Sequence, residues 1–156
     1  MAARSEMRCL SLFSGTGGLD MGLRIAVPSA RTVCYVEGEV PAAAVLASRI
    51  ESGWLDDAPV WSDVRTFHAR PWCGRVDCVL AGFPCQDISN VGRRAGIQGE
   101  RSGLWFEVAR IIGAVRPRYV FLENVAALVI RGLDAVLGSL AELRFDAEWG
   151  VFSARE

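Results

Sequence analysis

Apolar and polar positions along this chain switch repeatedly between a period of two and a period near 3.6. An apolar segment, Cys9 to Phe13, passes directly into "SGTGGLDMGL", where glycines give way to a helix-like pattern, so the spacing predicts strand, tight turn and helix. A second apolar run, "TVCYVE", ends at Glu37, and "PAAAVLASRI" after it opens with proline at a plausible first helical position. A short piece at Val60 and Trp61 and the longer "VDCVLAGF" supply two further strands. Leu104, Trp105, Val108, Ile111, Ile112 and Val115 repeat with helical spacing, and "RYVFLEN" follows Pro117 as a fifth strand. A helix across about residues 133 to 143 and a last strand over "AEWGVFSA" complete the pattern. Strands alternating with helices predict an α/β domain with a mostly parallel, doubly wound sheet covered on both faces.

In such a sheet, ligands bind beyond the carboxyl ends of the strands, near the point where strand order reverses. The glycine-rich and polar residues of this chain fall at those ends. Gly15 to Gly18 follow the first strand, Glu37 the second, Asp63 the third, Pro84 to Gln86 the fourth, and Glu123 and Asn124 the fifth.

Composition narrows the class. A length of 156 residues suits one domain with its own core, and 51% apolar with 22% charged residues is a globular balance. No apolar run reaches the roughly 18 residues of a membrane span, and Arg4, Glu6 and Arg8 interrupt the N-terminus, which predicts a soluble, cytoplasmic protein. Five cysteines at 9, 34, 73, 78 and 85 show no framework spacing, so reduced thiols are expected. Every one of the 17 basic residues is arginine, a weak pointer to a GC-rich bacterial or phage gene. The formal net charge of −1 gives no excess of positive charge for nucleic acid.

Three stretches carry candidate chemistry. "FSGTGG" offers backbone amides at a helix N-terminus and close approach where side chains are missing, a setting for a nucleotide-like group. Asp20 stands where a dinucleotide fingerprint requires glycine, and Glu37, about 20 residues past the turn, suits a ribose diol. The plainer readings are a tight turn, a solvated strand end at Glu37 and a turn cap at Asp63. In "GFPCQDIS", Pro84 stiffens the corner that presents Cys85, and a thiolate there would gain from a helix N-terminus or from Arg93, Arg94 or Arg101. A lone Pro-Cys is more often a buried structural cysteine. Glu123, closing an apolar strand expected beside the fourth, brings an acid to the same crevice, and Asn124 either braces the cysteine loop or is a simple turn residue. His68, Cys73 and Cys78 make three metal ligands at unorthodox spacing where a structural zinc site wants four, so no metal is expected.

"FSGTGG", "GFPCQDIS", "RSGLW" and "ENV", in this order, closely resemble the cytosine-5 DNA methyltransferases, and the likeness spans nearly the whole chain. The resemblance implies a Rossmann-like methyltransferase fold, S-adenosylmethionine as methyl donor with S-adenosylhomocysteine as product, and double-stranded DNA as partner. It implies Cys85 as nucleophile and Glu123 as acid. Phe13, Gly15, Thr16, Gly17, Gly18, Leu19, Glu37, Asp63, Val64, Pro84 and Leu104 would line the cofactor; Gln86, Ser89, Arg93, Asn124 and Val125 would contact or support the substrate. The target base must be flipped from the duplex, and the loop from Gln86 to Gly99 resembles the segment that closes over it.

The family's later motifs, an arginine-containing element, a recognition region and a final asparagine motif with its helix, have no counterpart before Glu156. The expectation is therefore an incomplete catalytic domain over residues 1–156: a truncated product, a fragment, or one subunit of a split enzyme that needs a complementing chain. Exposed apolar surface is expected where the absent region would dock. Methylation of transfer RNA, which a subset of the family performs, and a non-catalytic cofactor-binding remnant are the alternatives.

Overall fold

The computed structural model describes residues 6–84 and 103–153. Five strands form one sheet: β1 (Met7–Leu12), β2 (Ala30–Val36), β3 (Val60–Trp61), β4 (Cys78–Ala81) and β5 (Tyr119–Leu122), in the order β3-β2-β1-β4-β5. Every adjacent pair is parallel, so all five carboxyl ends lie along one edge. Strand order reverses between β1 and β4, the place where such sheets bind ligands.

The helices are α1 (Gly18–Ala26), α2 (Val40–Glu51), α3 (Leu104–Val115), the short α4 (Leu128–Arg131) and α5 (Leu133–Glu142). Pro41 sits one position inside α2, in the first turn where its missing N–H has no partner to lose. In α3 the predicted stripe is the buried one, from Trp105 through Val115, and Arg116 ends the helix in a left-handed conformation ahead of Pro117.

Alternation along the strands sorts the side chains onto two faces. Leu10, Leu12, Cys34, Val36, Val79 and Ala81 pack with α3 and α5 through Val108, Ile111, Ile112, Val136 and Leu140. On the opposite face Cys9, Cys78 and Leu80 meet Leu19 and Leu23 of α1, while Tyr35 meets Leu46 of α2. The four described cysteines are free thiols. Tyr119 and Phe121 stand in register with Cys78 and Leu80, hence on the α1 face, yet both are about half exposed because no described element covers β5 there.

Two features depart from the pattern along the chain. Residues 147–153 form no strand. Their alternation mimics one, but a strand exists only through a paired neighbour, and Trp149, Val151 and Phe152 lie exposed instead. The region before α5 also holds α4, whose single turn is too short to leave a helical period.

One polar cluster penetrates this interior. Asp20, only 5% exposed in the first turn of α1, accepts hydrogen bonds from Ser11 Oγ of β1 and Thr32 Oγ1 of β2, each at 2.9 Å. The carboxylate thereby pins the start of α1 to both central strands. Burial raises its pKa above the ordinary carboxylate range, opposed by the two hydroxyl donors. A folded-state pKa above the unfolded one means that the acid's stabilising contribution is complete below the unfolded pKa and is lost as pH rises through the folded value. Asp20→Asn does not titrate, so its unfolding free energy should improve relative to the parent as pH rises from acid to neutral. Urea titrations across that range check this, and a pH-independent difference would rule out the buried titration.

Candidate active site

The turn leaving β1 is built by backbone constraints. Phe13 adopts φ 51°, unusual for a residue with a side chain, and Gly15 and Gly17 follow at 56° and 81°. Ser14 sews this turn to β2: its N–H donates to the Val36 carbonyl at 3.1 Å, and its hydroxyl donates to the Ser11 carbonyl at 3.1 Å. The three glycines serve different ends. A Cβ on Gly17 would stand 2.5 Å from Leu55 Cδ1, so Gly17 is demanded by packing under the turn; around Gly15 and Gly18 there is open space. Thr16 is exposed, and its carbonyl accepts from Arg49 at 2.6 Å. Leu19 turns its side chain away from the hollow into the apolar cluster on β1 and β4.

Glu37 ends β2 almost wholly buried, at 7% exposure. Its Oε2 accepts from the Gly15 N–H at 2.6 Å and its Oε1 from the Glu39 N–H at 2.7 Å. The acid therefore shapes the glycine turn, and each oxygen keeps a lone pair for a further donor. At the end of β3, Asp63 Oδ1 caps the 3-10 turn Val64–Thr66 by accepting from the Arg65 N–H at 2.9 Å. Val64 is buried in the core, and its carbonyl is bound within the fold by Arg110 Nη2 at 3.0 Å and by the Phe67 N–H at 3.3 Å. Leu104 lies partly buried against the same core at the start of α3.

At the β4 and β5 exits, Gly82 is the pivot. A Cβ there would lie 3.3 Å from Glu123 Oε2 and 3.9 Å from the Phe13 carbonyl, so the acid, the β4 exit and the β1 turn converge on one small space. Asn124 Nδ2 donates to the Phe83 carbonyl at 2.7 Å, while its Oδ1 accepts from the Val125 N–H at 2.9 Å. The ring of Phe83 packs against Trp105 with centroids 5.1 Å apart, and Trp105 Nε1 donates to Ser139 Oγ at 3.1 Å. Phe83 is thus held by its ring and by its carbonyl. Pro84, exposed, follows it, and Val125 is exposed beyond Asn124. Cys85, Gln86, Ser89, Arg93, Arg94 and Arg101 lie outside the described residues. His68 and Cys73 are exposed whereas Cys78 is buried in β4, so these three are not brought together.

The edge of the sheet therefore presents a glycine turn clamped by a buried carboxylate, a capped 3-10 turn, and an acid beside the root of the Pro-Cys corner. Sequence reasoning missed the parts that Ser14, Asp20, Gly82 and Trp105 play in shaping the site, although each lies within or beside a quoted motif.

The fold is the Rossmann-like one of S-adenosylmethionine-dependent methyltransferases. A Spodoptera frugiperda DNMT2 variant superposes with a TM-score of 0.67 at 18% identity, covering 88% of this chain and 41% of that one. Schizosaccharomyces pombe Dnmt2 methyltransferase does so with 0.63 at 22% identity and the same coverage. The family model for C-5 cytosine-specific DNA methylases matches residues 7–156, and the chain belongs to that family. It is 37% identical over 157 residues to Type II methyltransferase M2.BsuMI of Bacillus subtilis, covering 96% of this chain and 38% of that protein. It is 35% identical over 146 residues to Type II methyltransferase M.CviJI of Paramecium bursaria Chlorella virus IL3A, covering 92% and 37%. The chain thus spans less than half the length of these relatives.

Gly17→Ala places a methyl group against Leu55 in a left-handed backbone and should cost about 1–3 kcal/mol of stability. Gly15→Ala, which meets open space, carries only the backbone penalty, about 1 kcal/mol. Urea unfolding of both variants measures the contrast; equal losses would refute the packing role of Gly17.

Proposed function

We propose that this chain is the cofactor-binding, base-activating part of a DNA cytosine-5 methyltransferase, with residues 1–156 forming an incomplete catalytic domain and sequence recognition residing in further polypeptide. Membership in the family supports the reaction class. The observation that carries the assignment is the convergence at Gly82: the Glu123 carboxylate and the Phe13 carbonyl meet there, three residues before Cys85. Double-stranded DNA is the substrate, and a complementing polypeptide supplies the arginine motif and the recognition region. On this reading the enzyme works in the cytoplasm of a bacterial or phage-infected cell.

The residues present fit S-adenosylmethionine. Open space at Gly15 and Gly18 admits a ligand against the turn, and the buried Glu37 retains acceptor capacity suited to a ribose diol. On this reading Glu37 takes the ribose, Asp63 the adenine with Val64 beside it, Phe13, Gly15, Gly17 and Gly18 the methionine part, and Pro84 and Leu104 flank them. When bound, this cofactor supplies a methyl group on a sulfonium, an electrophile needing a nucleophilic carbon.

Cytosine carbon 5 is a poor nucleophile until the ring is activated. In the proposed mechanism the Cys85 thiolate forms a bond to carbon 6 of a flipped-out cytosine while Glu123 gives a proton or hydrogen bond to nitrogen 3. Electron density then gathers at carbon 5. After carbon 5 has been alkylated, its proton passes to water acting as base, the carbon–sulfur bond breaks to return the Cys85 thiolate, and the proton shared with nitrogen 3 goes back to Glu123, which restores the aromatic base. What supports giving this part to Glu123 is its place: its N–H is tied to the Ala81 carbonyl at 3.0 Å and its carboxylate faces the space at Gly82. Asn124, by holding the Phe83 carbonyl, fixes the stem from which Pro84 and Cys85 depart. Gln86, Ser89, Arg93 and Val125 would contact or support the substrate around this corner.

Duplex DNA containing 5-fluorocytosine tests the reading, because the fluorine blocks release of the base. With S-adenosylmethionine and the recognition region of a relative supplied, the parent should form an adduct that survives denaturing electrophoresis, and Cys85→Ser should form none. Glu123→Gln should slow adduct formation by about 100-fold or more. Trapping of Cys85→Ser at the parental level would refute the nucleophile, and a preference for the same cytosine in transfer RNA would refute the substrate.

A further inference from the structure

The segment after β3 has little sheet to hold it. β3 is two residues long, pairs only with β2, and lies at the sheet edge, yet the next residues include Asp63 and Val64. Asp63 caps its own turn, which fixes the local shape but not the position of that turn on the domain. Phe67 lies edge-on to Trp61 and stacked on Trp72, an apolar footing in the following residues.

The polar tie comes from the opposite side, from the middle of α3. Arg110 Nη2 donates to the Val64 carbonyl at 3.0 Å, and Nη1 reaches the Phe67 carbonyl at 3.3 Å. Its Nε donates to Glu107 Oε2 at 2.7 Å, one turn away on the same helix. Guanidinium chemistry suits this tie, because a planar fork of donors spans two carbonyls and a carboxylate at once, which a single ammonium cannot do. The Glu107 pair is partly exposed and worth little by itself. The carbonyl contacts are different, because they join a helix buried in the core to a loop at the ligand edge.

We propose that Arg110 is a positioning residue for the adenine side of the site, holding the Asp63–Phe67 segment against α3 so that Asp63, the cap of that turn, keeps its place beside the cofactor. This rests on the cofactor reading given above. Arg110 itself touches no ligand, and its influence passes entirely through the two carbonyls. The Val64 carbonyl also accepts from the Phe67 N–H at 3.3 Å, so loss of the guanidinium loosens the segment without unfolding the domain.

The test uses Arg110→Ala, Arg110→Lys and Glu107→Gln in the full chain. Hydrogen exchange should quicken about tenfold at the Arg65, Thr66 and Phe67 amides of Arg110→Ala, with β1 and β4 unchanged. Titration with S-adenosylhomocysteine should show Kd raised about tenfold in Arg110→Ala, partly restored in Arg110→Lys and close to parental in Glu107→Gln. Parental exchange in Arg110→Ala would overturn the tether. Quickened exchange with parental affinity would overturn its bearing on the adenine side. A parent chain that binds no S-adenosylhomocysteine would instead overturn the cofactor reading, while the exchange data still decide the tether.

Discussion

Strand order reverses between β1 and β4, and the structure is organised around that seam. Connections from β1 run outward over β2 and β3, whereas β4 and β5 extend the other way, so no crossover roofs the carboxyl ends at the junction. The cleft is therefore a product of topology and precedes any particular side chain. The sequence then keeps it open: Gly82, at the exit of β4, has no side chain to fill the space shared by the Glu123 carboxylate and the Phe13 carbonyl.

Around the seam, polar side chains are spent chiefly on the protein's own backbone. Glu37 accepts from the Gly15 and Glu39 N–H groups, Ser14 Oγ donates to the Ser11 carbonyl and accepts from the Val36 N–H, Asn124 donates to the Phe83 carbonyl, and Asp63 caps its own turn. Each satisfies a main-chain group that the end of a strand would otherwise leave unpaired. A loop whose amides are already bound by buried acceptors needs little reorganisation when a ligand arrives, which is the physical meaning of preorganisation here. Asp20 extends the same logic inward by fixing the first turn of α1 to β1 and β2 through Ser11 and Thr32.

Much of this was legible in the pattern of residues, because strand and helix periods are local. The five strands, the stripe on α3 and the polar residues at the strand ends follow from spacing alone. The segment over residues 147–154 misleads for the same reason: period two reports the shape of a strand but not whether a neighbour exists to pair with it. Gly17 shows a second limit. Its neighbours in the motif point to a ligand, whereas its own necessity comes from Leu55, far along the chain beyond α2. Trp105 and Arg110 read as one buried and one solvated position on an amphipathic helix, and nothing local says that one packs on Phe83 and the other grips the loop after β3. The roles of Cys85 and the residues following it stand on the family resemblance.

The uneven covering of the sheet bears on how the two halves of the site hold their shape. On the α3 and α5 face, Val120 and Leu122 of β5 belong to the same core as β1 and β4, so the strand that carries Glu123 is anchored from that side. On the α1 face, Tyr119 and Phe121 remain half exposed and the outer edge of β5 has no strand beside it among the described residues. The start of this edge is blunted by Pro117 and by Arg118, whose guanidinium lies over the Tyr119 ring at 5.2 Å from its centroid, whereas Phe121, nearer the acid, is half exposed. The acid at the end of β5 is therefore held through the α3 and α5 side of its strand, by Val120 and Leu122, and by the bond from its N–H to the Ala81 carbonyl.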